Sequence, residues 1–172
     1  TTDGSIRQLT KGQWNVREIH RIDEEQGYIL FYANGYRESK GEDPYNKHLL
    51  RLDMKSGKVI DLTPDDGNHQ IHPNRDWTAF VDNWSRPDKP YESVVRSAID
   101  GKVLIKLQKQ DISGTLAAGY ILPEVFHAKG RDGKTDIWGN IYRPMNLDPN
   151  KKYPVVEYIY SGPHDSFVPK DF

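Results

Sequence analysis

The apolar residues of this chain fall in short alternating or β-branched runs, and turn dipeptides separate the runs. Alternation with a period of two sends one face of a segment into a core and the other to water, so the pattern predicts strands rather than helices. The predicted strands span residues 16–22, 28–33, 48–53, 59–62, 77–82, 93–99 and 103–107. Asn34-Gly35, Ser56-Gly57, Asp66-Gly67 and Asp100-Gly101 stand between them. Each sets a short polar residue before a glycine that accepts positive φ at low cost, and two of the four close hairpins.

A weak internal repeat organises these strands. Residues 48–53 lead through Ser56-Gly57-Lys58-Val59 to Leu62, and residues 93–99 lead through Asp100-Gly101-Lys102-Val103 to Leu107. The glycines of the two Gly-Lys-Val triplets stand 44 positions apart. A unit of about 40–45 residues with four short strands is the size of a β-propeller blade. Leu9-Thr10 ahead of Trp14 is echoed by Leu62-Thr63 ahead of the segment that runs through His72-Pro73-Asn74 to Trp77. Two consecutive blades are the reading, with two unrelated hairpins of a β-sandwich as the alternative. Residues 36–46, rich in Gly, Glu, Lys and Pro, read as a solvated insertion at a rim of the first blade.

Beyond Leu107 the character changes. Residues 112–118 make a helical turn or a linker, closed by Pro123. Three further strands are predicted at 124–128, 137–142 and 155–160, the first two joined through Arg131-Asp132-Gly133-Lys134. Val155-Val156-Glu157-Tyr158-Ile159-Tyr160 is almost continuously apolar, as in a strand buried on both faces of a mixed sheet. The change sets a domain boundary near residue 120, dividing the chain into 1–120 and 121–172.

Composition narrows the function classes. Charges nearly cancel, with 24 Lys+Arg against 25 Asp+Glu, which argues against a nucleic-acid binder and a disordered tail. No window approaches the unbroken apolar stretch of about 20 residues that a membrane helix needs, and no membrane segment is expected. Thr1-Thr2-Asp3-Gly4-Ser5 lacks a signal core, so the native N-terminus is expected upstream. Without cysteine the chain has no disulfide, zinc-thiolate site or thiol nucleophile. Asn83-Trp84-Ser85 fits a glycosylation sequon, a tripeptide frequent by chance.

The most informative string is Tyr160-Ser161-Gly162-Pro163-His164. Gly162 and Pro163 would end the strand sharply and leave Tyr160 at its carboxyl end, where open α/β sheets bind ligands. A phenol there donates a hydrogen bond without carrying charge, although an aromatic cap on a strand end has the same pattern.

Three strings together carry a resemblance. They are Leu9-Thr10-Lys11-Gly12-Gln13-Trp14-Asn15-Val16; Pro123-Glu124-Val125-Phe126-His127 followed by Ile137-Trp138-Gly139-Asn140-Ile141-Tyr142-Arg143-Pro144; and Lys151-Lys152-Tyr153-Pro154-Val155-Val156 through Tyr160-Ser161-Gly162-Pro163. In this order they resemble the last two propeller blades and the opening of the α/β-hydrolase domain in the dipeptidyl aminopeptidase IV branch of the prolyl oligopeptidase family. The resemblance implies a mainly β chain: two β-propeller blades at 1–120, followed by the first strands of an α/β-hydrolase domain at 121–172. It implies a parent serine peptidase that takes peptide substrates and removes N-terminal dipeptides after proline or a small residue, with a periplasmic, cell-surface or secreted location. The tyrosine matching Tyr160 is the oxyanion-hole donor in that family.

The departures are as definite. No Gly-x-Ser-x-Gly is present, so the nucleophile, acid and base are expected elsewhere, and the chain by itself is expected to be inactive. No cofactor and no metal is expected. Glu24-Glu25 reads as a solvated turn and is not given the family's amine-binding role. His69 and His72 stand three apart in strand-and-turn context without a fixed carboxylate partner. Ser161, His164 and Asp165 are too close together for a linear triad. Trp14, Trp77, Trp84 and Trp138 read as blade core rather than a sugar platform. The rival reading is a non-catalytic all-β module for peptide or carbohydrate. Opened blades also expose strand edges, so self-association is expected.

Overall fold

The structure is a computed structural model and describes residues 4–160, 162 and 167–172. Two four-stranded antiparallel meanders dominate it. The first contains β1 (Asn15–Asp23), β2 (Tyr28–Asn34), β3 (Lys47–Asp53) and β4 (Val59–Asp61). The second contains β5 (Asn68–Pro73), β6 (Ala79–Arg86), β7 (Lys89–Ser97) and β8 (Val103–Lys109). Each sheet pairs its strands in chain order, the topology of a propeller blade. A short helix α1 (Ser113–Ala117) follows, then a separate two-stranded sheet of β9 (Glu124–Lys129) and β10 (Asp136–Ile141). No helix of the described residues is long and apolar enough to cross a membrane.

The blades pack face to face. Tyr28, Leu30, Tyr32, Leu49 and Leu62 of the first meet Phe80 and Ala98 of the second, with Ile60, Ile71 and Trp77 against them. On the far side of the first blade Phe31, Ala33, Leu50 and Leu52 are covered by Leu9, Trp14, Tyr36 and Val59. Alternation along β2 and β3 produces both layers, because neighbouring residues point to opposite faces.

Polar contacts register one blade on the other. β5 is the inner edge of its sheet, so the Ile71 amide has no strand to donate to and donates instead to the Tyr32 hydroxyl at 2.8 Å. Arg51 lies 3.6 Å from the centre of the Tyr28 ring and donates to the Ala98 carbonyl at 3.2 Å. At the β7–β8 turn Gly101 has φ +74, and a Cβ there would lie 2.6 Å from the Leu62 carbonyl oxygen of the first blade. The turn between β5 and β6 places Trp77 at φ 60, a position usually left to glycine, with its indole on the inter-blade core.

Two expectations need correction. Residues 155–160 form no strand and are exposed, Val155 at 92% and Tyr160 at 59%. A strand buried on both faces needs a neighbour on each side, and among the described residues none flanks this run. The 36–46 loop is no simple solvated insertion, since Glu42 and Asn46 are buried within it. The strand at Asn68–Pro73 falls outside the predicted set, because its polar residues read as loop.

Candidate functional site

The β2–β3 loop and the β6–β7 turn are each the second turn of their meander, so they share one end of the blade pair. The hairpin β9–β10 approaches that end. Together they enclose a cleft of about 270 Å³ lined by Glu42, Asp43, Asp66, Arg86, His127 and Trp138, among others. The lining is acidic, with Arg86 the one cation among the described residues that form it. Arg86 grips Asp88 through two bonds, Nε to Oδ1 at 2.8 Å and Nη2 to Oδ2 at 2.6 Å, and also pairs with Asp66. That grip holds the Asp88 carboxyl below its ordinary range, against the opposing effect of partial burial. Trp138 forms an apolar wall, its ring stacked on His127 at 4.8 Å.

Behind the cleft runs a buried charged string. His69 is wholly buried, with Nδ1 2.8 Å from Asp82 Oδ1 and Nε2 2.8 Å from the Asp65 carbonyl oxygen. Arg96 donates from Nε to Asp82 Oδ2 at 2.7 Å and from Nη1 to the Gly101 carbonyl at 3.1 Å, and it pairs with Asp65. Trp84 stacks on His69 at 5.8 Å. Across the blade boundary the His48 ring lies 5.0 Å from His69. Its Nδ1 is 2.7 Å from the Thr63 carbonyl oxygen, and its Nε2 is 3.2 Å from Glu42 Oε2, off line for a hydrogen bond. Glu42 also pairs with Arg37, which donates to Asp61 at 2.8 Å. Burial pushes the Glu42 carboxyl up, but His48 and Arg37 outweigh it and hold the group below its ordinary value. Buried charges persist only when paired in this way.

The final residues dock on the same end. Lys170 Nζ lies 2.6 Å from Asp43 Oδ2 and 5.0 Å from the centre of the Tyr45 ring. Asp171 Oδ1 accepts from Asn68 Nδ2 at 3.0 Å, and the Phe172 amide donates to Ser85 Oγ at 3.0 Å. The Pro169 carbonyl accepts from Asn140 Nδ2 on β10 at 2.8 Å. Upstream, Phe167 meets the Tyr158 ring at 5.0 Å and the Tyr160 ring at 5.6 Å.

The sequence-derived candidates distribute as follows. Tyr160 stands on an extended, exposed segment beside the docked tail. Ser161, His164 and Asp165 lie outside the described residues. Glu24 and Glu25 occupy the β1–β2 turn and are exposed. His69 and His72 are an odd number of positions apart on β5, so they face opposite ways, and only His69 is buried. Trp84 is core, Trp14 and Trp77 pack against core, and Trp138 lines the cleft. Asn83 of the sequon sits within the paired strand β6 and accepts from Ser93 Oγ at 2.6 Å. Sequence reasoning missed the His69–Asp82–Arg96 string and the Lys170–Asp43 pair. The signal for the first was charged residues inside strand-like stretches, and the second had none.

Comparison with known proteins gives the following. Residues 1–91 match the family described as the dipeptidyl peptidase IV N-terminal region. Mouse dipeptidyl peptidase 8 is 28% identical over 174 residues, covering 95% of this chain and 19% of that protein. A crystal structure of a candidate dipeptidyl aminopeptidase IV from Bacteroides ovatus superposes with a TM-score of 0.72 at 27% identity, covering 95% of this chain and 22% of that one. Porphyromonas gingivalis dipeptidyl peptidase 4 shares the fold, with a TM-score of 0.69 at 19% identity over 87% of this chain and 20% of that one. The chain spans about a fifth of the length of the curated relatives it matches.

Proposed function

Because the chain belongs to the family of the dipeptidyl peptidase IV N-terminal region, we propose that it is the propeller-to-hydrolase passage of a serine exopeptidase that removes N-terminal dipeptides after proline or alanine. Residues 1–120 are the closing blades, and residues 121–172 open the catalytic domain. Tyr160 donates its hydroxyl to the oxyanion of the tetrahedral intermediate. Nucleophile, acid and base come from other parts of a longer chain, and the 172 residues alone do not hydrolyse peptides.

The observation that carries this reading is the structural match to a dipeptidyl aminopeptidase IV-like protein over 95% of the chain, with a TM-score of 0.72. The exposure of Tyr160 supports it, since a phenol sealed in a core could meet no substrate. A donor aimed at developing negative charge is felt in the transition state more than in the ground state. In the longer enzyme that carries this segment, Tyr160→Phe should therefore lower kcat on a dipeptidyl-proline reporter by about 10²–10³, with KM little changed. Full kcat in that variant would refute the role, as would turnover by the purified 172-residue chain.

A further inference from the structure

We propose that Lys170 and Asp43 form a latch through which the first blade sets the orientation of Tyr160. Both are positioning residues for the reaction proposed above, and the inference rests on that reading.

Lysine is seldom buried, because taking an ammonium from water is costly unless a fixed partner meets it. Lys170 is only 7% exposed, and Asp43 meets it at 2.6 Å. The acceptor is itself held: Asp43 Oδ1 accepts the Tyr45 amide at 2.9 Å, and Asn34 Nδ2 ties down the carbonyls of Tyr45 and Asn46. The preceding loop position, Glu42, is anchored by Arg37 beside His48, at the blade boundary. Asp43 thus presents its charge from a place determined by the blade core rather than by the loop.

The tail is held along its length. Pro169, Asp171 and Phe172 bind Asn140 of β10, Asn68 of β5 and Ser85 of β6 in turn. Asn68 is a junction, since its Oδ1 accepts the Lys47 amide of the first blade at 3.0 Å while its Nδ2 reaches Asp171. Three residues before Lys170, Phe167 is the wall against which the Tyr158 and Tyr160 rings rest. The position of the tail therefore sets the position of that wall. Displacing a reacting group by about 1 Å can cost on the order of 10²-fold in rate, so a shift of the wall reaches kcat.

The test is a double-mutant cycle in the longer enzyme. Asp43→Asn should lower kcat about tenfold and leave KM within about twofold, since the latch acts on the transition state. In a Tyr160→Phe background the same change should add no further loss. Lys170→Arg, which keeps the charge, should retain more kcat than Lys170→Met. A multiplicative loss in the Tyr160→Phe background would overturn the latch and leave ordinary stabilisation. As an activity-independent readout, 3-fluorotyrosine at position 160 of the longer enzyme should show a displaced fluorine resonance in Asp43→Asn, and an unchanged one would overturn the proposal. If Tyr160→Phe alone leaves kcat intact, the oxyanion role fails instead, and the fluorine signal still decides the latch.

Discussion

The two blades repeat one topology with opposite fillings. The shared turn places Leu52 of the first at the position of Arg96 in the second, 44 residues on. Strand pairing then sets Phe31, opposite Leu50, in the place of Asp82, opposite Val94. Where the first blade buries Phe31, Leu50 and Leu52, the second buries an aspartate and an arginine with His69 between Asp82 and Asp65. The difference teaches that a blade face can be closed by hydrocarbon or by a fully partnered ionic cluster, and that the two fail differently. Hydrocarbon loses in proportion to the volume removed, whereas an ionic cluster loses heavily when one member leaves the others uncompensated.

The sharpest way to break this contrast is at Asp82. Asp82→Ala leaves Arg96 and His69 without their shared carboxylate and should cost about 3–5 kcal/mol in urea denaturation. Leu49→Ala in the first blade should fall in the broader range of about 2–5 kcal/mol, set by how far its site can collapse. Asp82→Asn, which keeps an acceptor, should cost less than Asp82→Ala. Equal losses for those two would show that the retained acceptor contributes nothing and that the lost charge carries the whole effect.

A smaller effect separates the matching glycines. Gly57 and Gly101 have φ of +72 and +74, but a Cβ at Gly57 would meet nothing closer than 3.8 Å while one at Gly101 would strike the Leu62 backbone. Gly57→Ala should cost about 1 kcal/mol for the backbone conformation alone. Gly101→Ala should cost clearly more and loosen the seam between blades. Thermal melts of the two variants decide the order, and a reversal would mean that the seam yields without penalty.

The smallest effect is read by acid. Glu42, on the loop of the first blade, and Asp88, on the turn of the second, are both held below their ordinary values of 4.5 and 3.8. A depressed carboxyl contributes stability that is complete above its unfolded value and disappears as pH falls through the folded one. Stability should therefore decline below about pH 4.5, and Glu42→Gln should flatten the upper part of that decline. A Glu42→Gln profile parallel to the wild type would remove the loop from the account.

The turns at Gly35, Gly57 and Gly101 were legible because a glycine at positive φ has few substitutes, and the Gly-Lys-Val echo followed from two of them; Gly67 takes no positive φ and instead packs closely against Ser85 and Trp84. The filling of the second blade was not legible. Nothing in a 44-residue spacing distinguishes Leu52 from Arg96, and the buried positions of β5 are Asn68 and His69, which hydropathy reads as loop. Residues 155–160 erred in the opposite direction, since their apolar character described a burial that no neighbouring strand supplies among the described residues. Tyr160 was singled out from its string of neighbours alone. The docked tail was invisible because its partners lie from 29 to 127 positions away.

The bond from the Ile71 amide to the Tyr32 hydroxyl has its own consequence. Most amide protection in these sheets stays within one blade, but this proton, like that of Lys47 on Asn68, is shielded by a side chain of the neighbouring blade. Its exchange with deuterated solvent is thus a clock for the parting of two blades, set apart from the fraying of either.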